Sequence, residues 1–110
     1  MNEVWLVMTN TPDRKTARKI AALLLDRKLA ACVNIVGACE SVYRWEGKVE
    51  TAREVQLQIK TTDACYAEVE ATIRSSHPYQ VPEVVAWPLA AGLPSYLDWI
   101  RAETAERMIV

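Results

Sequence analysis

Ser75-Ser76-His77-Pro78-Tyr79-Gln80-Val81-Pro82-Glu83 holds the side chains with the most evident capacity for chemistry. His77 is the only histidine in the chain; a phenol follows at Tyr79 and a carboxylate at Glu83, with Pro78 and Pro82 between them. An imidazole can anchor Cu²⁺ or another divalent cation, but a site needs further N, O or S donors. Tyr79 and Glu83 could supply them from the same turn, or a second subunit could complete the set. The competing role is structural, because Pro78 holds residue 77 extended and an imidazole there can simply bond to backbone.

Cys32, Cys39 and Cys65 are odd in number and form no C-x-x-C pair. They read as reduced, partly buried thiols and not as a disulfide framework or a zinc site. No serine or cysteine stands at a spacing that would pair it with His77 as nucleophile and base.

Composition narrows the partners. The 110 residues fit one domain, 1–110, with 51% hydrophobic and 25% charged residues. The net charge of −1 is mixed along the chain, which excludes a phosphate-backbone binder and hence nucleic acid. No apolar run approaches the roughly 20 residues of a membrane span. MNEVWLVMTN has no positive n-region and no small-residue cleavage site, so it reads as a strand and the expected location is cytoplasmic.

The elements that must position the turn follow from periodicity. Val4–Met8 is an unbroken apolar run, suited to a central strand buried on both faces. Thr11-Pro12-Asp13 predicts an N-cap at Thr11 with proline at the first helical position. Ala17, Ile20, Ala21, Leu24 and Leu25 then recur at helical spacing, ending near Leu29. Ala30–Trp45 is rich in β-formers, with a bulge expected at Gly37 and a tight turn at Glu46-Gly47. Val55, Leu57 and Ile59 alternate with Gln56, Gln58 and Lys60, the period of a half-buried strand.

Thr62-Asp63 can open a second helix with Tyr66, Val69 and Ile73 on its apolar side. A short strand over Val84–Leu89 follows the His77 turn. Ser95 and Asp98 resemble a capping box for a last helix, with helix and then a frayed end expected over Arg101–Val110. The order is βαββαβ plus a terminal helix, an α+β ferredoxin-like sandwich with the first and third strands central.

Each arm of the β2–β3 hairpin runs to about a dozen residues, against a usual five or six. Two helices on one face cannot cover it, and its far end carries Tyr43, Trp45 and Val49. Apolar groups beside an open strand edge need a partner. Pairing of identical chains through the hairpin is expected, and a hairpin curled back on its own sheet is the alternative.

Several segments, in order, resemble the CutA divalent-cation-tolerance family. They are Thr11-Pro12-Asp13; Lys28-Leu29-Ala30-Ala31-Cys32-Val33-Asn34; Tyr43-Arg44-Trp45-Glu46-Gly47-Lys48; Ile59-Lys60-Thr61-Thr62; His77-Pro78-Tyr79 through Val81-Pro82-Glu83; and Tyr96-Leu97-Asp98-Trp99-Ile100. The resemblance implies a homotrimer with hairpins paired across subunits, and kinship of fold with the PII signalling proteins, whose ligands sit in clefts between subunits. It implies copper binding and no catalytic activity. Members with copper sites are similar in using a cysteine near the end of the first strand and paired histidines before Pro-Tyr. Here those positions are Thr9, or Met8 if the match shifts by one, and Ser76-His77, so only His77 carries over as a metal ligand.

For the rest of a cleft the candidates are Trp45, Lys60, Tyr79 and Glu83. Trp45 otherwise packs a trimer interface together with Tyr43 and Val49, and Lys60 with Glu83 otherwise forms a surface ion pair. Acylphosphatases share the size and strand order, but Thr9–Pro12 forms no glycine-rich anion cradle and neither Asn10 nor Asn34 has a placed arginine beside it. A trimeric scaffold that docks a partner protein, or a small-molecule sensor without a metal role, is the other reading. A sensor differs from a scaffold in that its ligand raises the melting temperature.

Overall fold

The computed structural model describes residues 2–104. Its elements are β1 (Val4–Thr11), α1 (Arg14–Asp26), β2 (Cys32–Trp45), β3 (Lys48–Thr62), a 3₁₀ turn (Asp63–Cys65), α2 (Tyr66–Ser76), β4 (Val85–Pro88) and α3 (Pro94–Glu103). The four strands form one antiparallel sheet in the order β2-β3-β1-β4, so the first and third strands are central. This is the α+β, ferredoxin-like arrangement read from the sequence.

Alternation along the central strands decides the core. Val7, Thr9 and Thr11 pair with Ile59, Leu57 and Val55, and all six side chains are buried. Val7, Val55, Leu57 and Ile59 form one cluster with Ala17, Ile20 and Leu24 of α1 and Val69 and Ile73 of α2. Burial of these aliphatic groups, about 1.5–3 kcal/mol for each large side chain, is the main term holding the helices to the sheet.

The opposite face carries Leu6, Met8, Val36, Val85 and Trp87 among Gln56, Gln58 and Lys60. Near one end α3 lies against β1 and β3, with Ile100 fully buried and Arg101 Nε donating to the Asn2 carbonyl at 2.7 Å. Elsewhere this face is open: Val36, Val85 and Trp87 are exposed. The run Val4–Met8 is therefore central in the sheet, but not covered on both faces within one chain.

Local boundaries depart from the sequence reading where side chains compete for backbone groups. Thr11 does not cap α1. It is the last residue of β1, with its hydroxyl within reach of the Val55 and Asp13 carbonyls at 2.9 and 3.1 Å. The cap is Asp13, whose carboxylate accepts from the Thr16 amide at 2.7 Å; that bond holds its carboxyl below the usual range. The helix stops at Asp26, short of Leu29, because Lys28 turns left-handed at φ 55°. Leu29 N–H then closes onto the Leu24 carbonyl at 2.9 Å.

No capping box opens α3. Leu93 is the N-cap, Pro94 takes the first turn, and Asp98 pairs with Arg101 at 2.9 Å; proline there needs no donor of its own. The helix ends at Glu103, and the expectation for residues 105–110 lies outside the described residues.

The hairpin is as long as its sequence suggests, with 14 residues in β2 and 15 in β3. Glu46 (φ 50°) and Gly47 (φ 80°) make its two-residue turn, both left-handed as a type I′ turn requires. The register shifts once, between Val36 and Ala38, so Gly37 is the extra residue of a bulge.

Candidate functional site

That bulge sets which side chains meet at the hairpin base. Before it, Cys32, Asn34 and Val36 share the face turned away from α1 and α2; after it the parity switches, and Cys39, Ser41, Tyr43 and Trp45 take that face. Opposite them on β3 stand Glu54, Ala52, Glu50 and Lys48. Against this ribbon the turn after α2 folds back, and between the two lies a cavity of about 690 Å³. Tyr43, Trp45 and Val42 from β2, Glu54 from β3, Asn10 from β1, and Tyr79, Val81 and Glu83 from the turn line it.

The turn is held by a relay of hydrogen bonds. His77 is only 8% exposed. Its Nδ1 accepts from the Tyr79 backbone N–H at 3.2 Å, so Nε2 carries the proton and donates to the Asn10 carbonyl at 2.6 Å. The Tyr79 hydroxyl donates to Glu54 Oε2 at 2.8 Å, and the two rings of His77 and Tyr79 tilt together with centroids 4.6 Å apart. Burial, then the hydrogen bond to Glu54 and the charge of that carboxylate, push the Tyr79 phenol up to about 12.

Glu54 is only 8% exposed, although it is charged and lies near the hairpin base. Asn10 Oδ1 is buried and has no hydrogen-bond partner among the described residues. Among the described residues, none of the side chains lining the cavity is basic. The site therefore offers two carboxylates, an unpaired amide oxygen and three aromatic rings.

Of the residues singled out from sequence, Trp45, Tyr79 and Glu83 line the cavity together. Lys60 does not. It stands six residues along β3 from Glu54, roughly 20 Å away, and its Nζ donates to Asn34 Oδ1. His77 lies behind Tyr79 with both ring nitrogens engaged. Thr9, one of the two first-strand positions weighed as a ligand from the family resemblance, faces the α1/α2 side in register with Leu57. Met8, in register with Gln58, faces away from it.

A metal ion at His77 does not fit these groups. Neither ring nitrogen has a free lone pair, and among the described residues no three His, Cys, Asp or Glu side chains are grouped to hold an ion. No disulfide joins the cysteines; Cys65 is buried and Cys32 and Cys39 are half-buried.

Sequence reasoning did not place Glu54 and Asn10 in the cleft, nor Ser41, Val42, Tyr43, Gln80 and Val81. Glu54 sits on the polar side of the alternation, where Gln56 and Gln58 look equivalent, so its burial left no trace in the pattern. Only the fold of the turn over it makes it different.

Residues 5–103 match the family described as CutA1 divalent ion tolerance protein. The divalent-cation tolerance protein CutA of Thermus thermophilus is 44% identical over 104 residues, covering 94% of this chain and 99% of that protein. The chloroplastic protein CutA 1 of Oryza sativa is 41% identical over 101 residues, and the chain spans 57% of its length. The crystal structure of CutA1 from Oryza sativa superposes with a TM-score of 0.93 at 39% identity, over 96% of this chain and 97% of that one. The chain belongs to the CutA1 divalent ion tolerance family.

Proposed function

We propose that this family member acts without catalysis as a homotrimeric, PII-like binding protein of the cytoplasm, with the cavity at the hairpin base as its ligand site in a cleft between subunits. The observation that carries the reading is the cavity itself, built beside apolar surface that one chain leaves in water. Val42 and Val49 at the hairpin tip are each 65% exposed, and Tyr43 and Trp45 stand 44% and 42% exposed on the cavity wall. Exposed apolar side chains on both faces of the hairpin, together with the open sheet face at Val36, Val85 and Trp87, favour a closed symmetric assembly. A neighbour packed there would roof the cavity.

Three cysteines without a disulfide among them favour a reducing compartment, and no helix among the described residues is long and apolar enough to cross a membrane. The site lacks a nucleophile paired with a base, since His77 spends both nitrogens on backbone groups. Cation tolerance in this reading comes through the cleft and not through copper held at His77.

Light scattering on the purified chain tests the assembly, and thermal melts with small molecules test the site. A mass of three chains and a ligand-raised melting temperature are expected. A monomer at micromolar concentration would overturn the trimer, and a trimer whose melting no small molecule shifts would leave the scaffold reading in its place.

A further inference from the structure

The chemistry lining the cavity selects among ligands. Glu54 and Glu83 place two carboxylates in it, Tyr43, Trp45 and Tyr79 supply three rings, and among the described residues no basic side chain lines it. An anion would meet only like charge there. Glu54, more than nine-tenths buried, is bonded by the Tyr79 hydroxyl on Oε2, and a neutral ligand would leave its charge without a counter-ion. The unpaired Asn10 Oδ1 is likewise an acceptor with nothing donating to it. Buried acceptors left without partners are costly; Ser41 and Gln80 also line the cavity but bring no charge, so what the site is short of is positive charge.

A bare metal ion would use the oxygens but gain little from the aromatic and valine walls. An ammonium carried on an apolar body uses both: carboxylates neutralise the charge, and ring faces attract a cation through their quadrupoles. We propose that the cavity is a site for a small organic ammonium ion, with Glu54 and Glu83 as its counter-charges and Trp45, Tyr43 and Tyr79 as its cage. The inference rests on the reading of the cavity as the ligand site, and names the class of ligand it takes.

Choline and its neutral carbon isostere, 3,3-dimethylbutan-1-ol, separate charge from shape. Calorimetric titration of the oligomeric protein should show saturable choline binding and a raised melting temperature, with the neutral alcohol weaker by about ten-fold or more. Glu54→Gln keeps an oxygen to accept from Tyr79 and removes only the charge; Glu83→Gln alters an exposed residue. Each should weaken choline by about ten-fold, leave the alcohol unchanged, and leave the far-ultraviolet dichroism of the protein as it was.

Equal binding of the two compounds, lost in Trp45→Leu, would overturn the ammonium assignment while keeping the cavity as a ligand site. Mn²⁺ or Cu²⁺ that displaces choline through Glu54 and Glu83 at lower concentration would assign the carboxylates to a metal ion instead. Absence of binding by either compound would overturn the assignment too, and if melts with small molecules of other charge also stay flat, the ligand-site reading fails with it.

Discussion

The Tyr79 hydroxyl donates to Glu54 Oε2 across 2.8 Å, joining the turn after α2 to the base of β3. The two residues are 25 positions apart in the chain, and their bond closes one side of the cavity. Through the Tyr79 amide the same turn is fixed to His77, and through His77 to the Asn10 carbonyl of β1. Two strands of the cavity wall, β1 and β3, are thus tied together by the short segment His77–Tyr79.

The bond has a pH signature. Burial and Glu54 keep the phenol neutral up to about 12 in the folded chain, whereas an unfolded tyrosine ionises near about 10. A group whose folded value is raised contributes stability in full below the unfolded value and loses it as pH climbs to the folded one. Denaturant melts of the wild type and Tyr79→Phe should therefore differ by a constant amount below pH about 10, with the difference shrinking between about 10 and 12. A gap that widens in this window would contradict the assignment.

His77→Ala should cost stability and leave copper binding alone. The substitution strips partners from the Tyr79 amide and the Asn10 carbonyl, at about 1–3 kcal/mol for a buried group left unpaired. Calorimetric Cu²⁺ titrations of the two proteins, both confirmed oligomeric, should superimpose. Tight saturable binding lost in the variant would make His77 a ligand after all.

Val49→Asp places a charge at the hairpin tip, on a side chain that is 65% exposed in a single chain. The subunit fold should survive, since surface changes of this kind usually move stability by less than about 0.5 kcal/mol. The trimer should not, because an interface built around an apolar side chain would have to desolvate a carboxylate, even with Arg44 across the strand pair. Light scattering should report one chain's mass with unchanged dichroism; an unaltered assembly would show that the tip is not an interface.

Among the described residues two that are not glycine sit in left-handed backbone, Lys28 after α1 and Glu46 in the hairpin turn. That conformation costs an ordinary side chain roughly 1–2 kcal/mol. Lys28→Gly and Glu46→Asn should each raise the melting temperature, by an amount worth up to about 1 kcal/mol once the added freedom of the unfolded chain is counted for glycine. A fall in either would mean that the native side chain makes a compensating contact.

Periodicity by itself determined the fold. The 3.6-residue spacing of Ala17, Ile20, Ala21 and Leu24, the two-residue spacing of Val55, Leu57 and Ile59, and turn chemistry at Glu46-Gly47 each specify one element. Their order leaves few sheets to choose from, because each pattern must bury one face. Caps were less legible: Thr11 and Ser95 look like caps, but Thr11 is drawn into β1 by the Val55 carbonyl and Ser95 is preceded by Pro94 at the helix start.

Tertiary structure alone decided the site. Gly37 is recognisable as a bulge, yet only the register shows that it moves Tyr43 and Trp45 onto the face of Glu54. Lys60 and Glu83 look alike as charged residues near strand ends, but pleat and strand length carry Lys60 to Asn34, about 20 Å from the cavity. His77 shows a single imidazole in the sequence and two occupied nitrogens in the fold. Local patterns record which face of an element is apolar; which groups meet across 25 or 67 residues is fixed by the packing of elements, and hydrogen bonds at that range leave no period to read.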